Sequence, residues 1–192
     1  MLFVALFVTG VTGAASQFKL GRSLLEHYIK LIFFASVLAV FSLSGFIAFR
    51  QYQLWLDDPV ARFLIPPHQD VGYFAFYSFT HFLVPYLTPL LIALLLLAVA
   101  LRVNRKTGGI FFEKGEPYLA ALSLFLVGHP GWLIYLVALI SVYFILHTSN
   151  LALRRQIARL PLYRLWAPIA FFVILLSDYW LSRMSWWQSL LI

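Results

Sequence analysis

Long unbroken apolar runs, separated by short polar connectors, dominate the hydrophobic pattern of this chain, which matches a lipid-solvated pattern rather than an amphipathic one. Residues 31–48 form the first firm run, which as a helix extends about 27 Å, close to the hydrocarbon thickness of a bilayer. Residues 50–72 hold Asp57, Asp58, Asp70 and prolines 59, 66 and 67, so they read as a loop with one amphipathic turn along the surface. The run 73–103 would extend about 46 Å as one helix, well past a core of about 30 Å, so it must tilt, kink or protrude. Pro85 and Pro89 remove backbone donors and mark the natural kink. After the connector NRKTGGIFFEKGEP a helix is predicted to start, with Glu116 at its N-cap and Pro117 in its first turn. It runs over 117–128, breaks at Gly128-His129-Pro130-Gly131 and resumes over 132–149. A last run, 165–182, closes with Arg183 and the Trp186-Trp187 pair. The pattern predicts an all-α fold, a polytopic integral membrane helix bundle with four to five transmembrane segments.

Composition strengthens that picture. Hydrophobic residues make up 62% of the chain and charged residues 11%, against about 45–50% and about 25% in soluble domains. One domain over 17–192 is expected, preceded by the apolar segment 1–16. That segment has no Lys or Arg ahead of its apolar run, which favours an uncleaved interfacial stretch over a signal peptide or a short extra span. The formal charge of +7 does not point to nucleic acid, because the basic residues lie between the apolar runs rather than on one face with stacking aromatics. The partners expected are the lipid bilayer and other membrane subunits. Without cysteine, thiolate metal sites and cysteine nucleophiles are excluded. The six tryptophans, 55, 132, 166, 180, 186 and 187, sit near the ends of apolar runs and suit belts at headgroup depth.

Lys and Arg number three before the first span, two in 50–72, four in 102–117, four in 150–165 and one after Asp178. Basic connectors stay cytoplasmic, which places loops 102–117 and 150–165 on the cytoplasmic side. The stretch between them then starts and ends on one side and must turn round at Gly128-His129-Pro130-Gly131, as a helical hairpin or re-entrant pair. Irregular backbone at that depth has to be enclosed by protein. A single kinked span through 118–149 is the alternative, and it would send the later arginines to the opposite side.

Searching for catalytic patterns finds no HExxH, Walker A, GxGxxG or nucleophile elbow. Ser42-Leu43-Ser44-Gly45 lacks the glycine two residues ahead that the serine motif of intramembrane proteases carries. Glu113, Glu116 and Asp178 form a possible polar cluster. The two glutamates could do acid–base or metal work, although a carboxylate at a helix start also suits the dipole there. Asp178, near the end of the last span, is a functional candidate or an interface group beside Ser182 and Arg183. Tyr73, Tyr77, His81, Pro85 and Pro89 share one helix face at four-residue spacing, suited to a packed seam or a polar cavity. Ala35 and Ala39, also four apart, permit close helix approach.

The topology sorts four histidines by depth: His27 and His147 near cytoplasmic ends, His81 and His129 towards the outer half. Two facing imidazoles at each of two depths is the arrangement that bis-histidine ligation of two b-type haems requires. His27, followed by an apolar run to Ser44-Gly45, resembles the first span of the four-helix b-type cytochrome subunits of membrane-bound hydrogenases and formate dehydrogenases. The likeness covers about twenty residues. It implies haem b as cofactor and electron transfer as function, with the His-to-Gly interval about a turn longer than that pattern and the family's closely spaced late histidines absent. The missing catalytic patterns favour a non-enzymatic membrane subunit or scaffold as the expected function. Alternatives are the haem-carrying electron-transfer subunit and a small transporter or lipid-modifying enzyme built around the broken hairpin.

Overall fold

The computed structural model describes residues 22–113, 115–154 and 162–188, and every element among them is helical. The apolar segment 1–16, Lys114 and residues 155–161 of the expected basic loop lie outside the described residues.

Helix α1, Arg22–Asp57, outruns the expected 31–48 at both ends. The stretch RQYQLWLD, expected as part of a loop, holds neither Gly nor Pro, so nothing in its backbone stops the helix. It ends before Asp58, where the following Pro59 disfavours helical geometry. Asp58 then turns the chain: its Oδ1 accepts the Val60 and Ala61 N–H groups at 2.8 and 2.7 Å, leading into a 3-10 turn, Ala61–Leu64. The last turns of α1 stay ordered by packing, since Trp55 meets the rings of Tyr73, Phe74 and Tyr77 and Tyr52 meets Phe74.

Those partners stand on α2, Val71–Ser78, which passes through a π-helical turn, Phe79–Leu83, into α3, Val84–Lys106. The expected disturbance falls one turn ahead of the prolines. Pro85 has no N–H to give the His81 carbonyl, and the widened π turn ends just before it. Pro89 lies inside α3, buried in the bundle.

Helix α4, Glu116–Val127, is too short to cross a bilayer, at about 18 Å. It is followed by the predicted break, then by α5, Gly131–Arg154, and α6, Tyr163–Tyr179. A 3-10 turn, Leu181–Arg183, and α7, Ser185–Gln188, close the described chain. Among the described residues four segments are long and apolar enough to span a membrane: Glu26–Asp57, Val71–Lys106, Gly131–Ala152 and Tyr163–Arg183.

The short helix is the centre of the bundle. Ten of its twelve residues are buried, and it packs against α1, α3, α5 and α6. A helix apolar on every side is one that neighbours must enclose, and EPYLAALSLFLV has that character. Ala120 and Ala121 leave room for them to approach. Its ends depend on glycine. Gly115 and Gly128 adopt φ of +85° and +74°, a region that side chains with a Cβ rarely enter. The long helices have the opposite character: at most 33% of the most apolar stretch of any of them is buried. Leu38, Phe76, Leu95, Val137, Phe144 and Phe172 are among the large apolar side chains that face outward.

Candidate functional site

A carboxylate within an apolar helix has to find donors or lose the hydration that stabilises its charge. Glu116 is 5% exposed. It is the first residue of α4 rather than its N-cap; Gly115 holds that position, and no side chain caps the helix. The Glu116 carboxylate instead reaches outward in two directions. Its Oε2 accepts the backbone N–H of Glu113 at 2.9 Å, and its Oε1 accepts the indole N–H of Trp166 at 3.0 Å. The first bond closes the connector onto α4. The second ties α4 to the first turn of α6.

Trp166 faces the interior of the bundle rather than outward, as a belt tryptophan would. It is 5% exposed, and an indole, having a donor and no acceptor, matches a carboxylate in a dry site. Its own backbone carbonyl accepts the hydroxyl of Tyr135, a fully buried residue of α5, at 3.2 Å. Ser123, on α4, is buried as well. A polar chain thus runs from Glu113 through Glu116 and Trp166 to Tyr135, joining α4, α5 and α6 inside the bundle.

Helix α1 closes the same end. A Cβ on Gly115 would lie 3.3 Å from the Glu26 Cα, so the start of α4 presses directly on α1. Lys30 pairs with Glu26 at 2.7 Å and stands 5.0 Å over the Tyr118 ring. Among the described residues no group of three or more His, Asp or Glu side chains is placed to hold a metal ion.

The three expected cluster members do not converge. Glu113 contributes its backbone N–H, with its side chain exposed. Asp178 is exposed twelve residues along α6 from Trp166, about 18 Å away along the axis. Ser182 donates to the backbone carbonyl of Asp178 and no ion pair joins Asp178 to Arg183.

The four histidines each engage a residue close by in sequence. His27 is exposed beside Tyr28, and His147 stacks on Tyr143, with its Nδ1 buried and without a hydrogen-bond partner. His81 stacks on Tyr77 with centroids 4.1 Å apart, and its Nδ1 lies 3.0 Å from the Tyr77 carbonyl. His129 accepts the Trp132 indole N–H at 3.4 Å. On the Tyr73–Tyr77–His81 face, Tyr73 and Tyr77 meet Trp55 and His81 stacks on Tyr77, with Tyr73 and His81 still exposed.

Sequence reasoning singled out Glu116 and missed Trp166 and Tyr135. The available signal was chemical: a helix apolar all round must be enclosed, so the carboxylate in its first turn needs buried donors from another segment. Comparison of the chain with protein-family models, with curated proteins and with solved structures finds no match.

Proposed function

We propose that the chain is a multi-pass integral membrane protein with a non-enzymatic role, a subunit or scaffold that presents its outer helix faces to lipid and to partner helices. One observation carries this reading: the buried carboxylate is used in holding the fold, one oxygen fastening the connector to α4 and the other fastening α4 to α6. A general base or a cation ligand would need to face a substrate or ion, and Glu116 is 5% exposed within the bundle. The outward apolar faces of the four long segments support insertion, since water solvates such surface poorly and hydrocarbon does not.

The chain reverses at Gly128-His129-Pro130-Gly131 in this reading, forming a re-entrant pair with α4 enclosed by the other helices. Chain length supports it. Glu116 is level with Trp166, and a Cβ on Gly131 would lie 3.5 Å from the Ser177 hydroxyl, so α4 and α6 run side by side in one direction. Nine residues of chain from Arg154 to Tyr163 reach about 32 Å at most. If α5 carried on in the direction of α4, those ends would stand roughly 55 Å apart. Connectors 102–117 and 150–165 then share a side, which their Lys and Arg content assigns to the cytoplasm.

Two experiments test these statements. In this cysteine-free chain, single cysteines at Arg105 and Arg164 are expected to label from the same face of sealed vesicles; labelling from opposite faces removes the reversal. Extraction in mild detergent is expected to bring out a stoichiometric complex with other membrane proteins. A solitary chain with catalytic turnover overturns the scaffold role.

A further inference from the structure

The end of the bundle where α3 gives way to α4 carries a charged patch that the scaffold role leaves unused. Arg102, Arg105 and Lys106 occupy the last turns of α3 with exposed side chains, and none is in an ion pair with another described residue. Arg164 is exposed at the same end, two residues before the Trp166 that meets Glu116. Cations there complement the negative end of the α3 dipole, and their exposure leaves their outward N–H donors in reach of a second anion.

Directly after these cations, Gly108 and Gly109, with φ of +65° and +81°, turn the chain and present Ile110 and Phe111. Those two side chains are 66% and 56% exposed. The loop beneath them is held in shape. The Gly109 N–H donates to the Asn104 carbonyl at 2.8 Å, the Phe112 N–H to Asn104 Oδ1 at 3.2 Å, and the Thr107 hydroxyl to the Val103 carbonyl at 2.9 Å. Acidic groups near the patch do not neutralise it: Glu26 is bound to Lys30, Glu116 is turned inward, and exposed Glu113 stands alone against four cations.

Neither water nor hydrocarbon alone suits an apolar loop tip backed by cations. The boundary of an acidic leaflet suits both parts, with acyl chains for the tip and phosphates for the guanidinium and ammonium groups. We propose that residues 102–112 form a binding surface for anionic phospholipid, with Ile110 and Phe111 inserted beside the headgroups and Arg102, Arg105 and Lys106 on their phosphates. This assignment rests on the membrane reading above. A soluble phosphate is the poorer occupant because the apolar tip contributes nothing to holding it.

The full chain in nanodiscs tests it. A cysteine placed at Ile110 carries a nitrobenzoxadiazole dye, and quenching is compared between brominated phosphatidylglycerol and brominated phosphatidylcholine. Each Lys or Arg near an acidic surface is worth about fivefold in binding, so quenching by the anionic lipid is expected at least about fivefold more effective. The R102Q/R105Q/K106Q variant is expected to abolish the preference, and R102K/R105K to keep it, with an unchanged melting curve certifying the fold of each. Equal quenching by the two lipids, or a preference that survives the triple glutamine variant, overturns the proposal. Suppression of the preference by millimolar glycerol phosphate overturns the assignment to a leaflet. A chain that fails to co-float with lipid sinks the membrane reading itself, whereas flotation without lipid preference sinks the loop assignment alone.

Discussion

Replacing Glu116 by glutamine tests whether the buried carboxylate is a tie between helices. Two donors point at it, the Glu113 N–H at 2.9 Å and the Trp166 indole N–H at 3.0 Å, and each takes its own oxygen. Glutamine has nearly the same shape but only one acceptor oxygen, so its NH2 group must face one of those donors. A hydrogen bond to a charged group contributes about 1.5–3 kcal/mol, and a buried donor left without an acceptor costs about 1–3 kcal/mol. The two figures overlap, giving a net loss of about 2–4 kcal/mol. For a chain of this size each kcal/mol moves the melting temperature by about 2–4 °C, so Glu116→Gln is expected to melt roughly 5–15 °C lower. Intrinsic tryptophan fluorescence in nanodiscs reads the transition. Glu113→Gln is the control, since that residue contributes its backbone N–H and its exposed side chain is dispensable. Trp166→Phe removes the same indole donor, so the double variant is expected to lose less than the two singles added. An opposing effect works against this outcome: removing a charge from a dry site relieves its desolvation penalty. Glu116→Gln melting with or above the parent would mean that this relief dominates, and the account of Glu116 as a tie would be wrong.

Gly115→Ala is expected to destabilise by more than Gly109→Ala in the same melting assay. Both glycines have positive φ, which costs a residue with a Cβ about 1–2 kcal/mol, but a Cβ at 109 meets open space while one at 115 lies 3.3 Å from the backbone of α1. Asp58 titrates below its ordinary value of 3.8, chiefly through the Ala61 N–H and then the Val60 N–H bonded to its carboxylate. A depressed pKa means that the turn is held at full strength above pH 3.8 and released as pH falls through the lower folded value. A carboxyl NMR titration with its midpoint at or above 3.8 contradicts this. Finally, under the scaffold reading the chain purified with ample haem is expected to show no Soret band; a band lost on replacing His27 or His81 would favour the bis-histidine alternative instead.

The four long segments were legible because length and hydropathy suffice to recognise them, and their centres lie where the pattern puts them. Their ends were less legible. Residues 50–57 are polar enough to read as loop, yet they remain helical because Tyr52 and Trp55 pack on rings of α2 that are distant in sequence. Tertiary packing overrides local composition there, as it commonly does at helix ends. The kink expected at Pro85 and Pro89 was misplaced for a different reason. Proline disturbs the hydrogen bond of the residue four positions before it, so the irregularity belongs to Phe79–Leu83 and not to Pro85 itself.

The tie between α4 and α6 illustrates a limit of reading residues one at a time. Glu116 looked like an ordinary helix-start carboxylate and Trp166 like an ordinary interfacial tryptophan, and each local reading had a sound physical basis. What neither residue states alone is that they meet across fifty positions of sequence. The information lay in α4 as a whole. Twelve residues are too few to span a bilayer, and EPYLAALSLFLV is too apolar on every face to lie at a surface, so the only stable place for it is inside a ring of longer helices. Once α4 is enclosed, its single carboxylate must be supplied with donors by whatever encloses it. Trp166, at the start of the neighbouring helix, has the only kind of side chain that is both apolar enough for the core and obligately a donor.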